Sequence, residues 1–278
     1  MKHLTLKKKV RDGEQSIIVS PFFAVRSILM CLTGAEVGSE TSNQLKQVLN
    51  IDEFSNDEIF NFVKESMIQI ESIQDENFIL KEANLMYFNE GLNLKKDFIK
   101  YINEYFHVDV ETLNFESKCS RESRAQIRKW CSKKNNKFYE FIGLVFGHDR
   151  LFVFNVINFK AKWLYQFNPK YTNNDAIFTM ENGNEFKVEM MKLIEELNAC
   201  EQVPELNSSV FQLPYAGGKI YMSIVLPKPN IKLSEVESRL DFLILKKAFE
   251  VDCLKKVEIH LPKFNIGNAS SVNKCFLY

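Results

Sequence analysis

The side chains best suited to nucleophilic or metal chemistry are few. There are four histidines, His3, His107, His148 and His260, and six cysteines, Cys31, Cys119, Cys131, Cys200, Cys253 and Cys275. A structural zinc site needs closely spaced Cys or His pairs, and no CxxC or Cys/His pair of that kind occurs. A GxSxG elbow, an HExxH pair, a Walker loop and a dinucleotide glycine fingerprint are all missing. Gly38-Ser39-Glu40-Thr41 reads as a loop running into a capped helix, not as a phosphate cradle. The carboxylate pairs fall on expected helix surfaces, where solvation accounts for them. These residues predict a protein that is not an enzyme and that uses no cofactor and no metal.

Other polar residues suggest modification and contact. Asn207-Ser208-Ser209 and Asn268-Ala269-Ser270 are acceptor sequons, so Asn207 and Asn268 are candidate N-glycosylation sites; such short patterns permit secretion without arguing for it. The 36 basic and 36 acidic residues cancel. Without a basic excess, no nucleic-acid partner is expected. Lys7-Lys8-Lys9 and Lys133-Lys134 read as solvated runs. No apolar run reaches the roughly 20 residues of a membrane span, so no membrane partner is expected. The opening MKHLTLKKKVRDGEQS lacks the apolar centre of a signal peptide. Against this ordinary surface, 24 phenylalanines imply a large continuous core.

The elements that must position these residues follow from periodicity. Ser20-Pro21 predicts a helix start, with Phe22, Val25, Ile28, Leu29 and Leu32 on one face and an end at Gly34. A second helix is expected over Glu40–Leu49. Asn56-Asp57 opens a third, with Ile59, Phe62, Val63, Met67, Ile70 and Ile73 facing the core. Phe78–Phe88 reads as a strand, Leu94–Phe106 as a helix, Val108–Leu113 as a strand and Ser123–Asn135 as a helix. Leu151–Phe159 is apolar almost throughout, which predicts a strand buried on both faces in the middle of a sheet. Short strands and turns follow through Pro227. Then come helices at Leu233–Leu240 and before Phe249, and a closing strand at Val257–Ile266. Helices first and strands later indicate an α+β fold with more than one sheet.

Asn155, Phe159, Lys160, Trp163, Phe167, Thr172, Phe178, Gly183, Val188, Met190 and Met191 stand at the spacing of a known signature. IIVSPFFAVRSILMCLTGA, KEANLMYFNEGLNLKKDF with its later Phe115, LPYAGGKIYMSIVLPKP and VEIHLPKF accompany it in the same order. Together they resemble the serpins, the serine protease inhibitor family, from about Ile17 to Ile266. The resemblance implies a single serpin-like domain over residues 1–278, with three sheets and eight or nine helices in a metastable fold. Its working principle is strand addition: a cleaved reactive-centre loop inserts into the main sheet and carries the trapped protease with it. A serine protease is the implied partner.

By the same resemblance, Ser20 and Asn155 match a polar cluster beneath the sheet that controls its opening. Trp163 matches the tryptophan where the loop first inserts, and Lys263 the lysine that pairs with an acid at the loop's base. Read without the family, Ser20 is an N-cap, Asn155 a strand amide, Trp163 a core aromatic and Lys263 an exposed strand lysine. Phe23 departs from the pattern, standing where a second serine is usual; such a ring costs about 1–3 kcal/mol if nothing compensates. Val156, Asn158 and extra residues at Gly34–Gly38 depart as well.

Nothing after Ile266 has the glycine- and alanine-rich composition of the family's hinge and reactive loop, and Met1–Val10 matches only part of its first helix. The expectation is a serpin truncated before the reactive-centre loop, incomplete at the C-terminus and partly at the N-terminus. As written it should not inhibit by loop insertion, and Lys263 should lack its acidic partner. Exposed strand edges should favour self-association. The alternative is a non-inhibitory serpin-like binding protein or the product of a decaying gene. Its heparin-binding version is disfavoured, because NDEIFNFVKESMIQIESI carries one lysine against several acids. Extracellular placement is the expectation for location, with the cytoplasm as the alternative.

Overall fold

A computed structural model describes residues 20–113, 121–133, 151–250 and 254–264. The described residues fall into two compact units. One takes in the described parts of Met1–Ser72 and Leu80–Phe159, the other Ile73–Ile79 and the described part of Lys160–Asn265. Seven α-helices and eight strands occur among them, and none of these helices is long and apolar enough to cross a membrane.

The first unit begins with helix α1 (Pro21–Gly34), whose entry angle Pro21 presets at its first position. Helix α2 (Glu40–Leu49) is capped by Ser39, whose hydroxyl accepts the Ser42 N–H, so this loop is a cap as the sequence indicates. Helix α3 (Asn56–Ser72) starts from a reciprocal box: Glu58 accepts the Ser55 N–H at 2.8 Å while the Ser55 hydroxyl accepts the Glu58 N–H. Strand β1 (Phe78–Asn89), helix α4 (Lys96–Phe106) and strand β2 (Val108–Leu113) form a crossover, and β2 pairs parallel to β1 from Asn84↔Val108 to Asn89↔Leu113. Helix α5 (Arg121–Lys133) and strand β3 (Leu151–Ala161) complete a sheet of order β2-β1-β3. Its core joins Leu29, Met30 and Leu32 of α1 to Met86, Ile102 and Phe106.

Two expectations change here. Phe62 points outward at 68% exposure, and Phe60 takes the core position instead, against Tyr105 and Phe106. β3 is not central: among the described residues it pairs on one side only, with β1, so its residues 151–155 are half-buried and Phe159 is exposed.

The second unit is built around one long strand. Strand β4 (Asn173–Thr179) pairs antiparallel with the start of β5 (Glu185–Val203). Strand β8 (Leu254–Pro262) pairs with its middle, from Met190↔Pro262 to Asn198↔Leu254. Strand β6 (Ser208–Pro214) pairs with its end, and β7 (Tyr221–Pro227) pairs with β6. Two ladders thus share β5, within a five-stranded sheet that is separate from β2-β1-β3. Helices α6 (Leu233–Arg239) and α7 (Phe242–Glu250) precede β8. Buried Leu193, Leu197, Leu213 and Ile259 form one core, alternating with outward residues as a half-exposed sheet requires.

Candidate functional site

The polar cluster lies in the first unit, where β1, α1, α4 and β3 bring it together. On β3, Asn155 donates its Nδ2 hydrogen to Asn84 Oδ1 on β1. Asn84 is 2% exposed, and its Nδ2 donates to the Phe106 carbonyl at 3.2 Å. That carbonyl belongs to the last turn of α4, which has no intrahelical donor for it. The chain turns away there at His107, in the left-handed region with φ 50°. Arg26 supplies a second donor: Nη2 reaches the same carbonyl at 3.2 Å, and Nη1 pairs with Glu82 Oε2. A guanidinium at a helix C-terminus also complements the helix dipole.

Glu82 and Asn84 are two residues apart and so share one face of β1. Burial pushes the Glu82 carboxyl above the usual carboxylate range, against the opposing pull of Arg26, Asn84 and His107. Burial likewise lowers the Arg26 pKa, opposed by Glu82. The arginine is 1% exposed and lies within 6.0 Å of the ring centres of Phe22, Phe23 and Phe106. Phe23 therefore does not simply overpack a serine's place. It is buried edge-on to Phe22 and forms part of the wall around the cation.

Ser20 sits at the N-cap position, but its side chain makes no capping hydrogen bond; only its carbonyl engages the helix, accepting the Ala24 N–H at 3.0 Å. The expected hydroxyl cap is thus not formed. Among the described residues Ser20 is not hydrogen-bonded to Asn155 either. Arg26 and Glu82 were missed by sequence reasoning. Their signal was present: an arginine on the apolar stripe of α1, and a glutamate in a mostly apolar strand.

The region expected to receive the loop lies in the second unit. Trp163 stacks on Tyr215 with centroids 4.5 Å apart and planes 10° apart, and stands edge-on to Phe167. Backbone bonds from Leu164 to the Pro214 carbonyl and from Ala216 to the Lys162 carbonyl pin this turn to the end of β6. Lys263 is not without an acid: its Nζ lies 3.2 Å from Glu189 Oε2, and its N–H donates to the Glu189 carbonyl at 2.8 Å. The β5–β8 register places the two opposite one another, a long-range fact invisible in local sequence. Both are half exposed. On the neighbouring outward face, Glu258 contacts Lys192 and His260 at 2.7 Å each, and these hydrogen bonds hold its carboxyl below the ordinary range.

Asn207 is half-buried in a left-handed turn, and the hydroxyl of Ser209 donates to the Glu201 carbonyl. Asn268 lies outside the described residues.

A helix-backed sheet tied by buried polar side chains, with a second sheet system built along one strand, defines an α+β protein of the serpin architecture. The solved structure of mouse protein Z-dependent protease inhibitor has this fold, at a TM-score of 0.84 and 19% identity over 95% of this chain and 69% of that one. The chain belongs to the serpin family: the family model for serpins, serine protease inhibitors, matches residues 3–276. Curated relatives include an uncharacterized serpin-like protein of Methanosarcina mazei, 26% identical over 98% of this chain and 62% of that protein. Chicken neuroserpin is 26% identical over 88% and 61%, and human serpin B9 27% over 92% and 67%. The chain spans about three fifths of the length of the first two.

Proposed function

We propose that this chain is the scaffold of a serpin-type inhibitor of serine proteases, and not an enzyme. The observation that carries the reading is the side-chain bridge from Asn155 on β3 to Asn84 on β1, beside an outer edge of β3 that is unpaired among the described residues. A sheet with that edge can accept a further strand, and the bridge restrains the strand beside the gap. The 278 residues as they stand hold no segment of hinge composition, so by themselves they do not trap a protease by loop insertion. By resemblance to the family, Trp163 and Lys263 are the residues proposed for the loop-entry region.

The test uses trypsin-, chymotrypsin- and elastase-like proteases. The 278-residue chain is expected to give no complex that survives denaturing electrophoresis. A chimera extended with the segment that follows the LPKF-equivalent block of serpin B9 is expected to give one. A complex from the unextended chain, or a chimera cleaved without any complex, overturns the reading. The second outcome supports a non-inhibitory binding protein, which buried Phe23 favours because it stands where the family usually has a serine. Extracellular placement is proposed with Asn207 as the glycan acceptor; an N-glycosidase mobility shift lost in Asn207→Gln checks it.

A further inference from the structure

We propose that Arg26 and Glu82 are positioning residues of the sheet-opening cluster: their buried ion pair fixes the Asn84 amide so that it holds Asn155, and with it β3, against β1. This rests on the reading that the sheet opens. The argument starts from donor and acceptor identity. The Phe106 carbonyl can only accept, so Asn84 must turn its nitrogen toward it and its oxygen toward Asn155. A flipped Asn84 would set oxygen against oxygen on one side and amide against amide on the other. Glu82 lies on the same face of β1, where Asn84 favours its ionised form.

Arg26 fixes both acceptors at once. Its fork holds Glu82 through Nη1 and the Phe106 carbonyl through Nη2, a two-point geometry that a lysine cannot copy. The three surrounding rings and 1% exposure leave the guanidinium no room to swing away. When β3 moves off, its backbone ladder to β1 and the Asn155 link break, and no other side-chain bond of the cluster does. Arg26, Glu82, Asn84 and the end of α4 remain assembled, with the Asn84 oxygen still aimed at the vacated position. The arrangement is a latch whose fixed half is preset, so the strand re-docks in one orientation.

The test is amide hydrogen exchange on the 278-residue protein. Asn155→Ala and the double variant Arg26→Met/Glu82→Leu are each expected to speed exchange across Leu151–Ala161 about tenfold, with β6 and β7 unchanged. Combined, the two changes should add little, because both act through one bond. Glu82→Gln, which keeps the volume and drops the charge, should show the same pattern at lower amplitude. Exchange that rises equally in α1, α4 and β3, or adds fully to that of Asn155→Ala, shows a packing role and overturns the inference. If Asn155→Ala speeds β3 but neither pair variant does, the positioning role alone fails. If Asn155→Ala itself leaves β3 unchanged, the sheet-restraint reading fails.

Discussion

Replacing Arg26 by methionine keeps the apolar contacts of the side-chain stem and removes the charge. Glu82, 14% exposed in its side chain, is then left buried beside apolar rings. Removing one member of a buried pair costs about 3–5 kcal/mol. Asn84 still favours the ionised form of Glu82, so the expected loss is near the lower figure, about 3 kcal/mol. At about 2–4 °C per kcal/mol for a chain of this size, Tm should fall by about 6–12 °C at neutral pH. In Arg26→Met/Glu82→Leu neither charge remains, and the change should stay within about 2 kcal/mol. The deficit of the single variant must also depend on pH. Burial raises the folded pKa of Glu82, and Arg26 is the strongest opposing influence. A carboxyl with a raised folded pKa stabilises the fold below its unfolded pKa, and that contribution fades as pH rises through the folded value. Without Arg26 the folded value rises further, so the deficit should shrink from about pH 8 to about pH 5 as Glu82 takes up a proton. His107 is the other charge-bearing neighbour of Glu82, so His107→Gln is melted alongside. Circular-dichroism melts over this range suffice. A single variant that melts with the wild type, or a deficit constant across pH, refutes the reasoning.

Four further outcomes are expected. Trp163→Ala, which loses the stack on Tyr215 but leaves a half-exposed site, should cost about 2–3 kcal/mol in urea unfolding, with Trp163→Phe recovering part. The Lys263–Glu189 pair is solvent-screened, and a double-mutant cycle with alanine should give a coupling under about 1 kcal/mol. Glu258 has a depressed folded pKa, so its stabilising contribution is present above the unfolded value and lost as pH falls through the folded one. An NMR titration should place its midpoint below that of an ordinary glutamate, and Lys192→Met should move it upward. Finally, β3 and β8 each have an edge unpaired among the described residues, so sedimentation should show association rising with concentration; a monomer with a sharp cooperative melt counts against it.

Much of this was legible locally. Ser20-Pro21 marks the start of α1 and Leu233 that of α6 where the pattern places them, whereas the closing strand runs Leu254–Pro262 and not Val257–Ile266. The choice between Phe60 and Phe62 was not legible, because both fit a broad apolar stripe and only Tyr105 and Phe106 on another helix decide it. The apolar run of β3 gives strand character but not the number of partners. The site divides the same way. Asn155 is visible in its signature, whereas Lys263–Glu189 and Arg26–Glu82 join residues 74 and 56 positions apart, and pairing at that range depends on register.

Strand β5 has a consequence for synthesis at the ribosome. β4, β5, β6 and β7 follow one another in the chain and can zip together as they emerge, each pairing with a recent neighbour. The middle of β5, Met190–Asn198, must wait for Leu254–Pro262. Roughly 60 residues separate the end of β5 from the end of β8, about 3–12 s of elongation at typical rates of ~5–20 residues per second. During that interval one side of the longest strand is uncovered in a nascent chain. This is the stretch where a chaperone would be needed first, and where slow codons between Val203 and Leu254 would do most harm.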